Sequence, residues 1–91
     1  MVNAIVLVNV KRSKVNEVAE TLAGLPGISE VYSVAGRVDL AAMIRVKANE
    51  EVADLVTKQI TNVDGVESTE TLLAFRAYSR TDLDAICSAG F

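Results

Sequence analysis

The segments Gly36-Arg37-Val38-Asp39-Leu40 and Gly65-Val66-Glu67-Ser68-Thr69-Glu70-Thr71 carry the side chains best suited to chemistry in this chain. Asp39 supplies a short carboxylate, Thr69 and Thr71 supply hydroxyls at alternate positions, and Gly36 allows a turn or a close backbone approach. A small polar set beside otherwise apolar strands suits a ligand pocket better than a reaction centre. Plain structural readings stand beside this one. Gly36 can be a turn glycine with Asp39 capping the same turn, Thr69 and Thr71 are good strand formers, and Arg37 can be a solvated turn residue.

The composition narrows the chemistry. The 91 residues include no histidine, which removes the usual acid-base group at neutral pH and the commonest transition-metal ligand. Nucleophile schemes that pair serine or cysteine with histidine are excluded. One cysteine, Cys87, can make neither an internal disulfide nor a multi-thiolate metal site, and it reads as an incidental thiol. Glu50 and Glu51 read as helix-start charges, not as a catalytic pair, and Met43 reads as core or interface filler. No cofactor, metal site or enzymatic activity is expected. Net charge is −3, and the single basic cluster of Lys11, Arg12 and Lys14 fits a solvated strand-to-helix loop. Direct nucleic-acid binding is not expected.

The elements that must position the polar set follow from periodicity. Residues 2–10 alternate as a strand that is apolar on both faces. Ser13 is a plausible cap for a helix in which Val15, Val18, Leu22 and Leu25 recur at helical spacing up to Pro26-Gly27. Residues 28–35 and 38–46 read as strands around the turn at Gly36-Arg37. Asn49 is expected to cap a second helix whose stripe is Val52, Leu55, Val56, Ile60 and Val63, ended by Asp64-Gly65. Residues 66–78 read as a long last strand.

A shift of 38 places superposes Val18 on Val56, Leu22 on Ile60, Leu25 on Val63, Gly27 on Gly65 and Ile28 on Val66. Strand-helix-strand thus occurs twice. With right-handed crossovers it gives an α+β, ferredoxin-like βαββαβ sandwich with both helices on one face of an antiparallel four-stranded sheet. Residues 1–78 form this domain, and 79–91 a tail with a short helix over 81–88.

Two helices cover one sheet face and leave the other bare, with alternate residues of 4–8, 40–44 and 72–75 upon it. The chain is 51% hydrophobic, rich for its size. A patch of that kind is not sustained on a monomer, so a dimer through sheet faces is expected, burying on the order of 1,000–2,000 Å² in total. The longest apolar runs fall far short of the roughly 18 residues a bilayer requires, and no basic segment precedes an apolar stretch at Met1-Val2-Asn3-Ala4. No membrane association is expected, and the expected location is cytoplasmic.

On residues 34–40, the helix beginning at Asn49, and residues 63–71, the chain resembles the C-terminal regulatory domain of the Lrp/AsnC transcription regulators, also called the RAM domain. The resemblance covers about residues 2–78 and rests on the order and spacing of short motifs. It implies an amino-acid effector held between dimers, and a homo-oligomer in which four or five dimers assemble into an octamer or decamer. Members usually carry a helix-turn-helix domain ahead of this one. Here the first strand starts at residue 2, so the resemblance implies a stand-alone member that can modulate full-length Lrp/AsnC regulators.

Carried over, the effector loop is Gly36, Arg37, Val38 and Asp39, the facing strand contributes Thr69 and Thr71, and Tyr32 and Val34 are wall residues. Asp39 would take the effector's ammonium, while the threonine hydroxyls, the amides near Gly36 and an inward-turned Arg37 would take its carboxylate. Many relatives have an aromatic residue where this chain has Val38. Two other functions compete: a dimeric α/β-barrel enzyme of the small monooxygenase or isomerase type, for which the strands offer few inward polar groups, and a ligand-free assembly scaffold.

Overall fold

Alternation of small and β-branched residues makes Val2–Val10 the first strand, β1, with Ala4, Val6, Val8 and Val10 buried. The computed structural model describes residues 1–78 and Arg80, so the expected helix over 81–88 and Cys87 lie outside the described residues. A single 3₁₀ turn, Arg12–Lys14, leads into α1, Val15–Ala23, which buries Val18 and Leu22. Ser13 does not cap this helix. It sits inside the turn closed by the Lys14 N–H to the Lys11 carbonyl (2.8 Å), and Lys14 occupies the cap position.

Strands β2, Ile28–Ser33, and β3, Leu40–Val46, are each shorter than their alternation suggests. The Val34 N–H bonds the Asp39 carbonyl (3.0 Å), which closes residues 34–39 into a loop and leaves Val38 and Asp39 outside β3.

Helix α2, Asn49–Asp54, begins with Asn49 as its first helical residue, not as its cap. The cap position is Ala48, and the Glu51 carboxylate accepts the N–H groups of Lys47 and Ala48, both at 2.8 Å. Glu51 thereby reaches back over the helix start as in a capping box, and Asn49 stands one place too late to be the cap. A π-helical turn, Leu55–Gln59, and a 3₁₀ turn, Ile60–Asn62, follow. The wider turn lets the Ile60 N–H reach the Leu55 carbonyl, so that residues five apart are both buried and Val56 is only half-buried. Strand β4, Val66–Ala74, stops short of the expected Tyr78 because β1 runs out; Asn3 opposite Ala74 is the last pair.

The sheet order is β2-β3-β1-β4 with antiparallel neighbours, the expected ferredoxin-like topology. Val18, Leu22, Val52, Leu55 and Ile60 from the helical segments share one core with Val6, Val8, Leu40, Ala42 and Ile44, so both helices lie on one face. The duplication is visible in detail. Lys11 N–H donates to the Gly65 carbonyl and Arg45 N–H to the Gly27 carbonyl, each at 2.8 Å.

The opposite face presents Ile5, Leu7, Ala41, Met43 and Leu72, with Tyr32 beside Ala41. Polar pairs flank it: Arg45 Nε donates to Asn3 Oδ1 (3.2 Å), and Asn9 Nδ2 donates to Ser68 Oγ (3.1 Å). Among the described residues no helix covers this face. The segment after β4 reaches one corner, where Ala77 joins Ile5, Glu30 and Met43 around a groove of about 220 Å³.

Candidate functional site

The loop 34–39 is held by its last residue. Val10 pairs with Val66 on β4, but β3 ends before it can pair with Val10 on the other side. Asp39 takes that place, donating its own N–H to the Val8 carbonyl (3.0 Å) and accepting the Val10 N–H on Oδ2 (2.8 Å). Asp39 therefore caps a neighbouring strand, not its own turn. The bond spans 29 residues of sequence, so no local spacing announces it.

Gly36 sits at φ +153° with nothing within 4 Å of where a Cβ would be. Its backbone is thus open to an incoming group. Arg37 leans across the end of β1 and places Nη1 3.0 Å from Glu70 Oε1 on β4. Both side chains are half or more exposed, so this pair contributes little to stability and is available for exchange. Glu70 was not anticipated as part of the site; its place between Thr69 and Thr71 was the one available signal.

The eight expected residues fall into two groups. Asp39 and Thr69 both adjoin Val8, one through a backbone bond and the other through strand register. Thr71 lies opposite Val6, so both threonines point toward the helix side, Thr69 half-buried and Thr71 exposed. Val34, Gly36 and Arg37 are exposed on the loop and Val38 is half-buried. Tyr32 is apart from these: it pairs with Ala41 on the open sheet face and donates its hydroxyl to Glu30 Oε2 (2.6 Å).

The hydrogen bond to Glu30, then that carboxylate's charge, raises the Tyr32 phenol above its ordinary 10.0. A raised folded-state value stabilises the fold below the unfolded value and stops doing so as pH climbs through the folded one. Glu30→Gln is expected to lower the alkaline midpoint of Tyr32, followed by phenolate absorbance; an unchanged midpoint would remove Glu30 as the cause.

The described residues hold no helix long and apolar enough to cross a membrane and no cluster of three or more potential metal-ligating side chains. The cavities beside Gly27 and beside Ala77 are lined by residues other than the loop and its facing threonines.

The architecture is a duplicated βαβ sandwich with a loop pinned to an interior strand. The chain belongs to the Lrp/AsnC ligand binding domain family, which it matches over residues 3–83. Among characterised relatives, it is 38% identical over 78 residues to the HTH-type transcriptional regulator FL11 of Pyrococcus horikoshii, covering 86% of this chain and 51% of that protein. The chain thus spans about half the length of the curated relatives it matches.

Among solved structures, TTHA0845 from Thermus thermophilus superposes with a TM-score of 0.83 at 50% identity, covering 88% of this chain and all of that one. The Neisseria meningitidis transcriptional regulator NMB0573, solved as a complex with L-Met, shares the fold at a TM-score of 0.77 with 12% identity, over 87% of this chain and 53% of that one. Relatives named as transcriptional regulators point to a regulatory role and not an enzymatic one.

Proposed function

We propose that this chain is an amino-acid-sensing module that dimerises through its open sheet face, assembles further into a ring of dimers in the cytoplasm, and binds a small amino acid at the seams. The reading rests on one observation. Asp39 and Arg37 fix the loop to β1 and β4 at the protein surface, with Glu70 on the open face of β4 and Thr69 and Thr71 on its helix side. These are the polar groups of half a site, completed by a neighbouring subunit.

One Asp39 oxygen holds the Val10 amide, and the other would accept the effector's ammonium. The effector's carboxylate would draw Arg37 from Glu70 and bond the Thr69 and Thr71 hydroxyls. The L-Met bound by the Neisseria regulator is consistent with this ligand class. Occupancy would be reported through oligomer geometry to full-length regulators with which the module co-assembles.

A thermal-shift and calorimetric screen against the twenty amino acids tests the reading. At least one is expected to bind. Asp39→Asn should keep the acceptor for Val10, hence the fold and assembly, yet weaken binding about tenfold or more through loss of the charge. Silence across all twenty in a folded oligomer would rule out the sensing role.

A further inference from the structure

β2 and β4 are the two edges of the sheet, and they differ in kind. β2 has six residues and a register shift between Ile28 and Glu30, an irregularity of the sort that blunts an edge. β4 has nine residues and no proline, and from Ser68 to Ala74 its register against β1 is unbroken. Past Thr71 its side chains turn apolar. Leu72 and Leu73 are half-exposed, and Phe75, just beyond the strand, is 93% exposed.

Which β4 residues face outward follows from the ladder. The Val8 carbonyl and the Val10 N–H both meet Asp39 on the β3 side, whereas the Lys11 N–H meets the Gly65 carbonyl on the β4 side. Backbone groups alternate along a strand, so Leu7, Ile5 and Asn3 turn toward β4 and bond their partners Glu70, Leu72 and Ala74. Thr69, Thr71 and Leu73 therefore direct their N–H and C=O groups away from the sheet, where no strand lies among the described residues. Phe75 continues that series. Ala74 and Ala77 both line the groove beside Ile5 and Met43, which keeps Phe75 and Arg76 at this edge.

We propose that β4 is a second contact between copies: two chains pair β4 to β4, antiparallel, about a two-fold axis through Leu73. This register makes Leu73 a hydrogen-bonded pair with itself and joins Thr71 of each copy to the partner's Phe75. On the open side Leu72 faces the partner's Ala74, and Glu70 faces the partner's Arg76, so opposite charges meet. An axis at Glu70 would set two carboxylates against each other instead. The bond from Arg37 uses Glu70 Oε1, leaving Oε2 for the partner's Arg76.

The proposal rests on the open-face pairing for its strength. Residues 70–76 bury far less than a stable interface needs, so the edge contact holds between dimers, where closing a ring raises the effective concentration. Two different two-fold contacts in alternation are what such a closed ring of dimers requires. The partner's Phe75 and Arg76 then stand beside Thr71 and Arg37, at the seam proposed for the effector.

Leu73→Cys and Thr71→Cys, each made in the full chain with Cys87→Ser, test the register by oxidation and non-reducing electrophoresis. Leu73→Cys is expected to crosslink two copies across the axis, where paired Cα atoms lie about 5.5 Å apart. Thr71→Cys is not, because its two copies stand about 14 Å apart along the strands. Leu73→Pro removes only an outward N–H, so it should keep native circular dichroism and sediment as a dimer, smaller than wild type. Arg76→Glu should do the same, and adding Glu70→Arg to it should restore the wild-type size.

Equal crosslinking at the two positions, none at Leu73, or wild-type size in both Leu73→Pro and Arg76→Glu would each overturn the edge contact and leave the open-face pairing standing. A Met43→Glu variant of wild-type size overturns the open-face reading instead, and the crosslink at Leu73 still decides the edge.

Discussion

Met43→Glu is expected to leave the protein monomeric with its secondary structure intact. Met43 faces Ile5 across the β1–β3 ladder on the open side of the sheet, amid Leu7, Ala41 and Leu72. Leu72 and Tyr32 are 43% and 47% exposed there, an arrangement that one molecule alone leaves in water. Pairing two such faces removes apolar area at about 25 cal/mol per Å². A carboxylate of similar length at Met43 would be desolvated without a partner, at a cost of several kcal/mol in each subunit. In the monomer the same group is solvated, so the fold should tolerate it. Sedimentation velocity at micromolar concentration checks the outcome; a variant that still sediments as wild type means that the face is not where the copies meet.

Gly65→Ala is expected to be the most costly of the three positive-φ glycine substitutions, lowering stability by about 3 kcal/mol. The backbone there is at φ +103°, and a Cβ would stand 2.8 Å from Lys14 Cβ and 3.0 Å from Val18 Cγ2. Lys14 caps α1 and Val18 lies within it, so neither can retreat without shifting the helix from the core. Gly27, the counterpart in the first half, is at φ +96°, but its neighbours are Val46 Cγ1 at 3.0 Å and Leu55 Cδ2 at 3.3 Å, which yield more easily. Gly36 has open space, so Gly36→Ala carries backbone strain alone, about 1 kcal/mol. Urea unfolding of the three variants should rank them Gly65, Gly27, Gly36. Equal losses would mean that backbone conformation outweighs contact.

The duplication was legible because Gly27 and Gly65, and the apolar stripes before them, recur at one offset, which together with right-handed crossovers fixes strand order and helix side. The family followed from motifs at both ends of the same scaffold, and the match over residues 3–83 agrees with it.

What escaped the sequence depends on partners distant along the chain. Asp39 reads locally as a turn residue, yet its carboxylate serves Val10. Ser13 and Asn49 have the right side chains for caps, but a 3₁₀ turn at one helix and the reach of Glu51 at the other take those roles. The π turn at Leu55–Gln59 is invisible to a stripe drawn at ordinary helical spacing. Of the eight candidate residues, strand register puts Tyr32 and the two threonines on opposite faces.

The bond from Val10 to Asp39 ties the loop to the strand that also supplies Ile5 and Leu7 to the outer surface. An ammonium that pulls on Asp39 would therefore load β1 directly. News of a bound molecule would need no hinge or lid to travel: one rigid rod runs from the loop to the open face through which the proposed pairing of copies would occur.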